Sequence, residues 1–205
     1  MDIQTIFSIA ILIMSVMIHE VSHGYAALYL GDVTAKYAGR LTLNPIKHID
    51  PVGSILLPFI FAIMGSGLIL GWAKPVPYNP YNLRNQRWGE LIVAIAGPAS
   101  NFIIAIVFGL LIRFSDIFGL PSTFVELSAS VVLINLVLAV FNLIPIPPLD
   151  GSKILFALIP TESALKIRAT FERYGLFLIL FIAFFVWQMI LPIVFYLARL
   201  ITGLN

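Results

Sequence analysis

His19-Glu20-Val21-Ser22-His23 is the part of the sequence best suited to chemistry, and it lies in an apolar stretch. On an α-helix, His19 and His23 stand one turn apart and about 40° apart in projection, with Glu20 about 60° from His23. All three side chains then face one side. Two imidazoles at this spacing can ligate a zinc ion, one per chain, and the adjacent carboxylate can reach the metal's water as general base. A structural alternative is helix pairing or an internal proton relay. Burial of Glu20 within an apolar span favours the metal reading, because a charge there is expensive unless it is paired, ligated or facing a polar cavity.

A catalytic zinc site usually takes a third protein ligand. Ala26 and Tyr29 stand where soluble relatives of this motif place one. The candidates are His48 and Asp50, in NPIKHIDP, and Asp150, in NLIPIPPLDGSK. Asp150 has the best local context, since Pro145, Pro147 and Pro148 stiffen the approach and Gly151 leaves the carboxylate uncrowded. For His48 and Asp50 the plainer reading is an interfacial cap. Asn135 and Asn142, seven residues apart, fall within about 20° of each other on one helix, with small Ala139 between them. Asn142 is read as a functional group, and Asn135 equally as an interhelical hydrogen bond. Gly97, Asn101, Ala105 and Gly109 form a small or polar stripe that reads as a close helix contact rather than a catalytic feature. Pro75 and Pro77 read mainly as loop breakers.

These residues must be positioned by a membrane protein. The chain of 205 residues is 60% hydrophobic and 11% charged, with a mean hydropathy of +1.01, whereas globular chains carry about 25% charged residues. The expected fold is a polytopic α-helical bundle. Full spans are expected over Ile3 to Leu30, Leu91 to Ile112, Phe124 to Ile144 and Tyr174 to Leu200. A fifth segment, Val52 to Leu70, contains Pro58, Gly53, Gly65 and Gly67 and is either a re-entrant hairpin or a short span. With a re-entrant hairpin, ten of the twelve basic residues fall on one face; with a span, the split is seven against five. The positive-inside rule selects the re-entrant form, with the N-terminus outside and the loops after residues 30, 70 and 145 in the cytoplasm. VTAKYAGRLTLNP is expected to form a small β-hairpin near that interface, over residues 33 to 44, with the non-helical PVPYNP as an extended neighbour. No separate soluble domain is expected, so residues 1 to 205 form one membrane domain. MDIQTIFSIAILIMSVMI lacks a basic n-region and a cleavage site and reads as a mature span. The chain has no cysteine, which removes disulfides and thiolate ligands. Basic residues scattered through loops give no support for nucleic-acid binding.

HEVSHG, RLTLNPIKHIDPVG, GWAKPVP, GPASN and FNLIPIPPLDGSK, in this order, resemble the site-2 protease family of intramembrane zinc metalloproteases in its compact bacterial and archaeal form. The motifs run from residue 19 to residue 153. The resemblance implies that His19, His23 and Asp150 hold zinc and that Glu20 is the catalytic carboxylate. It further implies that Asn142 lies near the metal, contacting substrate or stabilising an oxyanion. The expected function is hydrolysis of peptide bonds in or near transmembrane segments of protein substrates, in a prokaryotic cell membrane, from a site open to the cytoplasm. Two rivals are a zinc hydrolase of lipids or lipidated groups and a metal or proton transporter. Clustering of the ionisable groups near one level disfavours transport. Oligomeric state and substrate identity are not legible.

Overall fold

The computed structural model of the protein describes residues 3–56, 73–159, 171, 174 and 187–204. Helix α1, Ile3–Tyr29, has 27 residues. At about 1.5 Å per residue it exceeds the hydrocarbon thickness of about 30 Å. It ends in a Schellman turn: Gly31 adopts a positive φ of 106°, Gly31 N–H donates to Leu28 O and Asp32 N–H to Ala27 O. The left-handed conformation there suits glycine and satisfies carbonyls the helix end would leave open.

Asp32 leads into α2, a single turn over Thr34–Tyr37. A 3-10 turn at Pro45–His48 and a π-type turn at Pro51–Leu56 follow, and a second 3-10 turn lies at Pro80–Asn82. Helix α3, Gln86–Arg113, is started by the Asn85 side chain, which accepts from Trp88 N–H at 3.0 Å. A short α4, Ser115–Phe118, turns the chain into α5, Ser122–Asn142. Helix α6 covers Asp150–Leu158 and α7 covers Trp187–Thr202.

Helix α3 is central, packing against α1, α5, α6 and α7, while α5 also packs on α1 and α7. The main apolar core joins α3, α5 and α7 through Ala105, Ile112, Val132, Leu136, Ile190 and Val194. A smaller one, of Ala27, Leu83 and Val93, fastens the end of α1 to the start of α3.

Among the described residues, three helices are long and apolar enough to cross a membrane: Gln4–Tyr29, Trp88–Arg113 and Ser122–Asn142. They correspond to the first three expected spans. Of the fourth, Tyr174 and α7 are described, and α7 alone, at 16 residues, is shorter than a full crossing. Of Val52 to Leu70, residues 57 to 70 lie outside the described residues.

The expected β-hairpin is not what the chain forms. Residues 34 to 37 are helical, and among the described residues there is no strand. Local capping decides this against β-propensity. Asp32 Oδ1 accepts from both the backbone N–H and the hydroxyl of Thr34, which starts a turn instead of a strand. The following backbone bonds are then local, with Ala38 N–H on Thr34 O and Arg40 N–H on Ala35 O. PVPYNP is non-helical from Pro75 to Asn79, as expected, but has no sheet to lie beside.

Candidate metal centre

On α1, Ser15, His19 and His23 fall at i, i+4 and i+8, so all three lie on the face turned towards α3 and α5. Asp150 arrives from the other side as the first residue of α6. All three candidate ligands are buried. His19 Nε2 lies 3.1 Å from Asp150 Oδ2, His23 Nε2 also lies 3.1 Å from that oxygen, and the two Nε2 atoms are 3.1 Å apart.

The other ring nitrogens fix the tautomers. His23 Nδ1 is 2.6 Å from Val93 O, a group that can only accept, so His23 Nδ1 carries the proton. Val93 stands one residue before Ala94, whose carbonyl loses its usual helical partner because Pro98 has no N–H. His19 Nδ1 donates to Asn101 Oδ1 at 2.6 Å. The Asn101 amide donates in turn to Asn135 Oδ1 at 2.8 Å and to Ser15 O at 3.3 Å. Asn135 closes the relay, donating to Ser15 Oγ and to Val131 O, each at 2.9 Å. Asn101 and Asn135 are completely buried.

With both imidazoles neutral, as metal ligation requires, both Nε2 atoms present lone pairs to each other and to a carboxylate. Three acceptors converging with no proton among them repel unless a cation lies between them. Ligand atoms 2.0–2.1 Å from a tetrahedral zinc stand about 3.3 Å apart, close to the observed triangle. Two neutral imidazoles and a carboxylate, each imidazole with its outer N–H donated, also form the donor set expected of catalytic zinc.

Two glycines make the arrangement possible. A Cβ at Gly97 of α3 would collide with the Nε2 atoms of both histidines. A Cβ at Gly24, one turn after Glu20, would collide with Leu41 and Val76. Gly24 thus lets the extended segment 75–79 lie against α1, where Val76 N–H donates to Glu20 Oε2 at 2.8 Å. That hydrogen bond leaves Glu20 Oε1 available for a proton.

A cavity of about 130 Å³ is lined by the three candidate ligands together with Glu20, Val76, Tyr78, Asn142 and Lys153. It has room for water and is too small for a peptide. Lys153 Nζ lies 3.3 Å from Asp150 Oδ1, leaving Oδ2 towards the histidines, and 5.6 Å from the centre of the Tyr78 ring. Asn142 faces the same cavity, while its amide N–H donates back to Leu138 O at 2.9 Å.

Of the three candidates for a third ligand, the fold brings Asp150, the one the resemblance implies, to the histidines. His48 is buried elsewhere with Nε2 2.8 Å from Thr42 O. Asp50 accepts from Val52 and Gly53 N–H, as a cap. The α3 stripe splits in two. Ala105 and Gly109 make the expected helix contact, Gly109 against Ile201 and Thr202, whereas Gly97 and Asn101 adjoin the ligands. Missed entirely were Ser15, Lys153 and the Val76 N–H. Ser15 has a visible signal, a polar residue one turn before His19 on the same face; a backbone N–H has none.

The description "Peptidase family M50" is that of the family model matched by residues 119–186. The "Putative zinc metalloprotease YwhC" of Bacillus subtilis is 40% identical over 191 residues, covering 87% of this chain and 83% of that protein. The chain belongs to peptidase family M50. Among further relatives, the "Putative zinc metalloprotease Rip2" of Mycolicibacterium smegmatis is 33% identical over 141 residues, covering 68% of this chain and 52% of that protein. The "Zinc metalloprotease MJ0392" of Methanocaldococcus jannaschii is 30% identical over 151 residues, or 73% of this chain and 33% of that protein. No solved structure matches the chain.

Proposed function

We propose that this M50 member is an intramembrane zinc metalloprotease, with His19, His23 and Asp150 as the residues that hold the ion. The observation that carries the reading is the triangle of three buried potential ligand atoms, His19 Nε2, His23 Nε2 and Asp150 Oδ2, beside Glu20. Membership of a peptidase family does not favour the lipid-hydrolase and transport alternatives. Bound zinc supplies Lewis-acid polarisation of a carbonyl and lowers the pKa of water towards neutrality.

The chain's own groups supply the rest. Val76 N–H holds one Glu20 oxygen; the other takes the proton from the attacking water and returns it to the leaving amine. Asn142 contributes to stabilising the oxyanion. Asp150, neutralised at its outer oxygen by Lys153, stays ionised.

The substrate class is the transmembrane or membrane-associated protein, cut in or near its membrane segment. With no sheet edge among residues 33 to 44, an unwound substrate has no strand there to pair with, and the extended segment 75–79 is the non-helical stretch that reaches Glu20, through the Val76 N–H. The small cavity requires that segment to shift before a peptide enters. Residues 1 to 205 act as one membrane domain that crosses the bilayer several times in a prokaryotic cell membrane. The uneven distribution of basic residues orients the site to the cytoplasm.

The deciding experiment compares wild type with Glu20→Gln for zinc content and for cleavage of a transmembrane-helix substrate. Zinc is retained and the rate falls about 10²- to 10⁴-fold. Undiminished cleavage by Glu20→Gln overturns the mechanism, and wild type that takes up no zinc overturns the site.

A further inference from the structure

A second, larger cavity of about 460 Å³ opens beside the extended segment, lined by Arg40, Lys47, Lys74, Ile46, Ile49 and Pro75 among others. Three of its lining side chains are cationic and none is acidic. Arg40 is only 7% exposed, and its Nε–H has no hydrogen-bond partner. Leaving a buried guanidinium N–H unmatched is unfavourable, and an anionic oxygen is the partner its geometry suits. Ile46 is 74% exposed and Ile49 43% exposed at the same rim. Cations with exposed aliphatic side chains, just past the end of a membrane-crossing helix, match a ligand that is anionic at one end and apolar at the other.

We propose that Arg40, Lys47 and Lys74 bind the phosphate of an anionic phospholipid headgroup, with Ile46 and Ile49 against its acyl chains. The site has a direct mechanical link to the catalytic carboxylate. Arg40 Nη2 donates to Lys74 O at 2.6 Å and to Pro75 O at 3.3 Å, and the next residue, Val76, holds Glu20. A phosphate on Arg40 therefore steadies the segment that orients the base. This coupling rests on the role given to Glu20, whereas the binding site itself does not.

The test is run first on Glu20→Gln protein, so that binding is read independently of proteolysis. The full chain is placed in phosphatidylcholine vesicles containing spin-labelled phosphatidylglycerol or spin-labelled phosphatidylcholine, and the bound fraction of each is measured. Preference for phosphatidylglycerol is expected, falling about tenfold in the double variant Lys47→Gln, Lys74→Gln. The control pair Lys36→Gln, Arg84→Gln, both outside the cavity, retains it. Equal losses in the two pairs would mean diffuse surface charge and overturn the site. Displacement of the lipid by inorganic phosphate at millimolar concentration would assign a soluble anion instead. Unchanged lipid preference with a raised KM for substrates bearing acidic juxtamembrane residues would assign the cavity to substrate. In wild type, cleavage is expected to run severalfold faster in phosphatidylglycerol vesicles, and the difference to vanish in Lys47→Gln, Lys74→Gln. A persisting difference overturns the link to Glu20.

Discussion

The proposed ligand side and the proposed base side of the centre are built on different principles. His19 and His23 are held by side-chain and carbonyl partners on helices, through Asn101, Asn135, Ser15 and Val93, all within the packed interior of α1, α3 and α5. Glu20 sits on the same helix, yet its described partner is one N–H of a non-helical segment. Moving a ligand requires breaking a buried network, with several polar groups left unmatched. Moving the base's partner requires only that residues 75–79 shift. A protease that must admit an unwound substrate gains from a fixed metal and a yielding wall.

The largest effect that would break this contrast is at Gly97. A methyl group there occupies the space of both imidazole Nε2 atoms, so Gly97→Ala is expected to lower zinc affinity more than about 100-fold and to abolish cleavage. Zinc stoichiometry after equilibration with a competing chelator reads this directly. Full occupancy would mean that the histidines can rotate away, contrary to a rigid ligand side.

Asn101→Leu removes the acceptor for His19 Nδ1 without adding bulk at the ion. Zinc affinity should fall about 10- to 100-fold, with Asn135→Leu showing a smaller loss because it acts one hydrogen bond further out. Equal losses would indicate general destabilisation, and thermal unfolding of the zinc-free proteins separates the two.

On the base side, Val76→Pro deletes the N–H that Glu20 accepts, at a position already flanked by Pro75 and Pro77. The expected result is about a tenfold fall in kcat, the order of one charge-assisted hydrogen bond, with zinc content unchanged. A parallel loss of zinc would show that the two sides are one unit.

How much of this was legible beforehand follows the same division. The first three spans and the candidate site on α1 were readable because periodicity and an ionisable group in an apolar run are strong local signals: singling out His19, Glu20 and His23 needed no tertiary information. The proposed third ligand required the chain to bring residue 150 to residue 19; local sequence narrowed it to three, and the motif resemblance singled out Asp150. Gly97 and Asn101 were hidden inside a stripe whose other two members, Ala105 and Gly109, do make a helix contact. The turn at 34–37 was misread as a strand because its β-branched residues were weighed without the Asp32 side chain, whose bonds to Thr34 settle the local geometry.

Asp32 also provides the mildest test. Its carboxylate is fully buried; one oxygen accepts from Asn82 Nδ2 and Thr34, the other from Asn79 N–H at 2.7 Å. It thereby anchors the far end of the segment whose near end holds Glu20. Burial would raise this carboxyl, but the hydrogen bonds from Thr34, Asn82 and Asn79 outweigh it and hold the pKa below 3.8. A depressed carboxylate contributes stability that is complete above its unfolded pKa of about 4 and is lost as pH falls through the folded value. Asp32→Asn should therefore loosen residues 75–82 by about 1–3 kcal/mol near neutral pH, seen as faster proteolytic nicking there, with cleavage of substrate reduced only a few-fold. Lowering the pH below about 4 should make wild type approach Asp32→Asn, since a neutral Asp32 loses the same charge-assisted bonds. A gap between the two that stays constant through that range would mean that Asp32 acts by shape and not by charge, and the anchor of the yielding wall would have to be sought in the packing of Leu83 and Tyr78 against α1 and α3 instead.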